Sequence, residues 1–269
     1  MQTARSQAPA TSIIRNGNTP SPLKPVILLV QGSFQLPEAY AKLIAALHTR
    51  GFEVVQPRLP SLSDHDSPDF AKRDLTDDSR AIEDEAKRLV DEGKDVLVFM
   101  HSYGGLIGSN AISEDLSLQS RSQSGLSGGV FCLFYFAAFI LDEGQSVLQT
   151  FGESPNNDIK PHVRYTMKGA SNTIYHDLPP DEAEYWASKI INQSYAVQMT
   201  PITRTAYKYI PSIYVVAGDD HAVPLQYQEM FAATAGAEVK KIQSGQSPQL
   251  SQPNELADLI EAAAGETSA

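Results

Sequence analysis

Four apolar runs punctuate the chain: Pro25 to Val30, Asp95 to Phe99, Val130 to Phe139 and Ile213 to Ala217. Each is short, continuous and rich in β-branched or aromatic residues, the pattern of a strand covered on both faces. Phe52 to Pro57 and Glu238 to Ile242 read as two further strands. Between these runs the apolar positions change to helical spacing. Pro37 to Arg50 places Leu43, Ile44 and Leu47 together, with Gly51 positioned to end the helix. Asp77 to Glu92 carries Ile82, Ala86, Leu89 and Val90 on one stripe. Helices are also predicted from Ser102 onward, over Leu225 to Ala235 and over Asn254 to Ala264. Strands alternating with helices predict an α/β fold: a mostly parallel, doubly wound sheet with helices on both faces.

Three stretches break the alternation. Residues 1–24, rich in Ser, Thr, Asn, Pro and Gln, read as a flexible tail lacking the apolar segment of a signal peptide. Ile13-Ile14 is its one candidate for a short strand. Arg58 to Asp74 reads as a loop. Residues 142–211 separate core segments 25–141 and 212–269 and contain a Pro-initiated helix, Leu178 to Trp186. They are expected to form a small helical cap over the C-terminal edge of the sheet, where open α/β sheets bind ligands.

Composition narrows the function. A net charge of −11 argues against a nucleic-acid surface, which needs basic patches. The longest apolar run, Val130 to Leu141, falls short of the roughly 20 residues that span a bilayer, so no membrane partner is expected. The single cysteine, Cys132, can form no intramolecular disulfide, which points to a reducing, cytoplasmic setting. The expected partner is a small-molecule substrate, with a homodimer as the assembly left open. The acidic run from Asp77-Asp78 to Glu92 reads as a solvated helix face.

The chemistry concentrates after the strands. Met100-His101-Ser102-Tyr103-Gly104-Gly105 joins a strand to a helix, the context of a nucleophile elbow that strains its serine and exposes the hydroxyl. Gly104 and Gly105 supply the small neighbours, but Met100 stands where the general motif has glycine. Gln31-Gly32-Ser33, after the first strand, is placed for an oxyanion loop; the N–H groups of Ser33 and Tyr103 would hold a developing negative charge. Asp220, after the late strand, is the expected acid, with Asp219 as competitor.

These stretches, together with Tyr135-Phe136-Ala137-Ala138-Phe139, Asp177 to Trp186 and Ser244-Gly245-Gln246-Ser247-Pro248, resemble the α/β-hydrolase family of esterases, hydroxynitrile lyases and methyl-ester hydrolases, in its fungal and bacterial branch. The resemblance runs from Pro25 to Ala264. It implies that methionine before His-Ser is tolerated, and that the general base belongs at position 246. There the sequence has glutamine, whose amide cannot shuttle a proton near neutral pH. Gln35 and Gln249 also stand where relatives carry other residues, a histidine and an aromatic. The candidate site is therefore Ser102, Asp220 and Gln246, with Ser33 and Tyr103 as oxyanion donors and Gln35 and Trp186 as substrate contacts. Cap packing is the other reading of Trp186.

No cofactor is expected. No metal is expected either, because the six histidines show no ligand spacing. His48, His65, His101, His162, His176 and His221 read mainly as structural or surface groups, with a substitute base among them as the alternative. By resemblance, relatives of this branch act in secondary metabolism. The expected function is an enzyme of this fold acting on a small, largely apolar carbonyl, ester, lactone or polyketide-like substrate, non-hydrolytic and of lyase, isomerase or cyclase type. The alternatives are a serine esterase or lactonase with a substitute base, and a ligand-binding protein without turnover.

Overall fold

A computed structural model describes residues 24–160 and 164–266. Residues 1–23 of the expected tail, and His162, lie outside them. Six strands form the central sheet: β1 (Val26–Val30), β2 (Val54–Val55), β3 (Asp95–His101), β4 (Gly129–Phe136), β8 (Ser212–Ala217) and β9 (Glu238–Ile242). Their order is β2-β1-β3-β4-β8-β9, and every pairing among them is parallel. The order reverses between β1 and β3, so the crevice beyond their C-terminal ends is the topological switch point.

Side-chain alternation along these strands builds one core on each face. Val26, Leu28, Val30, Val96, Val98 and Met100 face the core shared with the helices Leu75–Asp91 and Gly104–Ala111. Ile27, Leu29, Leu97 and Phe99 face the opposite core, shared with Ala41–Thr49 and Pro253–Glu266. The helix Leu75–Asp91 begins at a capping box: the Asp74 side chain accepts the Asp77 N–H while the Asp77 side chain accepts the Asp74 N–H.

The cap corrects the sequence reading. It is not purely helical: β5 (Asn157–Lys160), β6 (Arg164–Met167) and β7 (Gln193–Ser194) form a three-stranded antiparallel sheet, accompanied by short helices such as Pro180–Ser188. These strands are two to four residues long, too short for a period-2 pattern to stand out. The segment read as a loop also holds a helical turn, Pro60–Ser63.

Asp78 is the second correction. It is fully buried, not solvated. Its carboxylate accepts the Ser61 N–H (2.9 Å) and hydroxyl (2.6 Å) and the Tyr103 hydroxyl (2.8 Å). Burial pushes its pKa up to about 7, against the pull of these donors.

Candidate active site

Ser102 follows β3 directly and has a φ of 54°, the left-handed backbone that an L-residue occupies only under constraint. Three backbone bonds supply that constraint. The Ser102 N–H donates to Phe136 O (3.1 Å), and its carbonyl accepts from Gly105 N–H (3.0 Å) and Phe139 N–H (3.0 Å). A Cβ on Gly104 would lie 2.4 Å from the Val30 carbonyl oxygen, and one on Gly105 would lie 2.4 Å from that of Phe139. Both glycines are sterically required. Met100 is accommodated elsewhere: a Cβ on Gly108 would fall 2.2 Å from its sulfur. The small residue that makes room for Met100 is Gly108, about one turn into the helix Gly104–Ala111.

The ends of β8 and β9 bring the other two residues to Ser102. Asp220 accepts the N–H groups of Ala222 (2.7 Å) and Val223 (3.0 Å) on Oδ1. Gln246 is buried between Asp220 and Ser102. The carboxylate only accepts, so the amide nitrogen must face it. In that orientation Gln246 Nε2 donates to Asp220 Oδ1 at 3.0 Å and more closely to Oδ2. Its Oε1 accepts the Ser102 hydroxyl at 3.1 Å and His101 Nε2 at 3.2 Å. Burial raises the Asp220 pKa to about 7, with the Val223 and Ala222 amides pulling it down.

His101 lies buried beside the elbow. Its Nε2 is 2.9 Å from the Gln246 carbonyl and its Nδ1 is 2.6 Å from the Tyr40 hydroxyl. A carbonyl only accepts, so Nε2 carries the proton. Burial lowers the His101 pKa to about 4, which the bond to Gln246 partly opposes. The ring is neutral near pH 7. Gln35 continues this polar layer: its Nε2 donates to Ser247 Oγ (3.1 Å), and its Oε1 accepts from Gln249 (3.2 Å) and lies 2.8 Å from the Tyr40 hydroxyl, whose single proton is directed to the bare Nδ1 of His101.

A cavity of about 370 Å³ opens above Ser102. Ser33, Gln35, His101, Ser102 and Gln246 reach it, and Phe34, Phe139, Phe151, Met167, Val223 and Phe231 give it apolar walls. Among the described residues, neither the Ser33 nor the Tyr103 backbone N–H has an intramolecular acceptor; Ser33 lines the cavity, whereas Tyr103 is not among its lining residues. Asp220 is not part of the lining, because Gln246 covers it. Trp186 is not part of it either, which corrects its assignment as a substrate contact. It is half-buried, packed against the core shared with Ala41–Thr49 and edge-on against Tyr185, with ring centroids 5.2 Å apart.

At the rim, His221 lines the cavity and stacks on His176, with centroids 3.6 Å apart and planes 9° from parallel. Asp219 lies 3.4 Å from His176 Nε2 and 3.9 Å from His221 Nε2. A metal bound by imidazole lies in the ring plane, and two near-parallel planes share no such point. As arranged, this cluster is therefore not a chelate. Sequence reasoning missed it because residues 176 and 221 come from different segments.

The chain belongs to the alpha/beta hydrolase family, whose model matches residues 27–259. It is similar to the alpha/beta hydrolase nvfD of Aspergillus novofumigatus, at 29% identity over 91% of this chain and 98% of that one. It is also similar to the probable hydrolase R7 of a Phoma species, at 29% identity over 90% and 99% of the two chains. Among solved structures, a pyrethroid hydrolase from Sphingobium faniae shares the fold with a TM-score of 0.68, at 20% identity over 90% of this chain and 97% of that one.

Proposed function

We propose that this α/β-hydrolase-family enzyme acts on a small, largely apolar carbonyl, ester, lactone or polyketide-like compound without hydrolysing it, in a lyase, isomerase or cyclase step. The observation that carries the reading is the amide of Gln246 standing between Asp220 and Ser102. In an ordinary triad the group at this point takes the serine proton as the hydroxyl attacks. An amide oxygen holds that proton in a hydrogen bond but cannot accept it. Loss of the triad base costs on the order of 10⁶ in turnover, while an oxyanion hole and binding pocket retain on the order of 10³–10⁴ over water. The unpartnered Ser33 and Tyr103 amides suit a developing enolate or alkoxide. Asp220 acts as a positioning residue through Gln246, since it does not reach the cavity itself.

The test compares the protein with its Gln246→His variant, using a fluorophosphonate probe and an activated ester. Only the variant is expected to label at Ser102 and turn over. Comparable labelling and hydrolysis by the unmodified protein would overturn the reading.

A further inference from the structure

The hydrogen-bond polarity of the cavity floor specifies its ligand more narrowly than shape does. Gln246 Oε1 has no proton to give, so the Ser102 hydroxyl must donate to it across their 3.1 Å separation. The bond between them runs in this one direction, because the amide never carries the proton away. Ser102 Oγ is therefore left facing the cavity as an acceptor. The donor beside it is the unpartnered N–H of Ser33, which lines the cavity. A donor beside an acceptor is complementary to a compound that carries both a carbonyl oxygen and a hydroxyl.

Charge adds a second restriction. Among the described residues lining the cavity there is no lysine or arginine, and the one carboxylate, Glu153, is bonded to the Tyr195 hydroxyl. His221 at the rim faces Asp219 at 3.9 Å, so any positive charge it gains is already matched. An anionic ligand would lose its hydration here without meeting a counter-charge.

Resting on the reading that this cavity is the substrate site, we infer that it takes an uncharged hydroxy-carbonyl compound, with the carbonyl oxygen on the Ser33 amide and the hydroxyl donated to Ser102 Oγ. This inverts the usual role of the elbow serine: it receives a hydrogen bond from the substrate and makes no bond to carbon.

The test is a binding series on the intact protein, read by calorimetry or ligand-observed NMR. The probes are 2-hydroxy-1-phenylethanone, 1-phenylethanone, 2-methoxy-1-phenylethanone and mandelate. The hydroxy-ketone should bind roughly three- to tenfold more tightly than the ketone or the methyl ether, the worth of one net hydrogen bond. Mandelate should bind at least about tenfold more weakly, as expected for a desolvated carboxylate without a partner. Ser102→Gly, which suits the positive φ and removes the hydroxyl, should erase the advantage of the hydroxy-ketone over the ketone. Gln246→His should keep it, because a neutral imidazole nitrogen also accepts the serine proton. Equal binding of ketone and hydroxy-ketone, mandelate binding as tightly as either, or no binding by any probe at millimolar concentration would each overturn the inference. The fluorophosphonate experiment reads a different property. An unmodified protein that labels and hydrolyses refutes the non-hydrolytic reading while leaving the binding preference to stand or fall on its own.

Discussion

Replacing Asp78 with asparagine should stabilise the protein at alkaline pH and do little at acid pH. The carboxyl is fully buried, and its pKa is raised from the ordinary 3.8 to about 7 by desolvation. A raised acid pKa means that the folded state holds the proton more tightly than the unfolded chain. Stability is then greatest below the unfolded value and falls as pH rises, until the folded carboxyl ionises near 7. At 1.36 kcal/mol per pH unit, flattening as the folded carboxyl itself ionises, the loss between pH 5 and 7 is ~2 kcal/mol. Asparagine carries no such charge. Its oxygen can still accept the Ser61 N–H, and the Ser61 and Tyr103 hydroxyls can turn to accept from its nitrogen. Asp220, also raised to about 7, contributes a similar slope to both proteins and cancels in the difference. The measurement is urea unfolding by circular dichroism at pH 5, 6, 7 and 8. The stability of Asp78→Asn minus that of the parent should rise by ~2–3 kcal/mol across the series, or ~5–10 °C in Tm. A flat difference, or one that grows in favour of the parent at high pH, would show that Asp78 stays ionised inside the fold.

Two further substitutions probe the elbow. Gly108→Ala should destabilise by ~1–3 kcal/mol through overpacking against the Met100 sulfur, and Met100→Ala in the same chain should recover part of that loss, read as a coupling energy in a double-mutant cycle; strictly additive effects would refute the compensation. Ser102→Gly should gain ~1 kcal/mol in chemical unfolding, since relief of a left-handed backbone worth ~1–3 kcal/mol exceeds the ~1 kcal/mol of the lost bond to Gln246; a less stable variant would mean that the elbow stores no strain.

The frame of the site was legible because strand ends are legible. Continuous apolar runs located β1, β3, β4 and β8, and Ser33, Ser102 and Asp220 follow three of them within a few residues. Gln246 was found only through resemblance, since an isolated glutamine carries no signal of its own. The misreadings have physical causes. Asp78 sits in a run of acids on an amphipathic helix, and a local pattern cannot show that Ser61 and Tyr103 close over one of them. The cap sheet is built from strands too short to display alternation. Trp186 is large and apolar enough to line a pocket, but its helix packs it against the core and against Tyr185, away from the cavity. The Met100–Gly108 exchange pairs a strand residue with a helix residue eight positions later, a relation that no periodicity rule tests.

Among the described residues, the hydrolase alternative rests on His221, the one histidine outside the elbow that lines the cavity. Its Nδ1 lies 3.1 Å from the Asn172 carbonyl, which only accepts, so Nδ1 carries the proton and the basic lone pair belongs to Nε2. That nitrogen is directed toward Asp219, and the Ser102 proton is already bonded to Gln246. His221 is thus aimed away from the exchange that a general base must make. His221→Gln should leave residual ester turnover and fluorophosphonate labelling within about threefold of the parent, far from the 10²–10⁴-fold that general-base catalysis is worth. The same change in the Gln246→His background should be equally mild, because the restored imidazole then carries the proton. A loss of about a hundredfold or more in the parent alone would identify His221 as the working base and return the protein to ordinary serine hydrolysis.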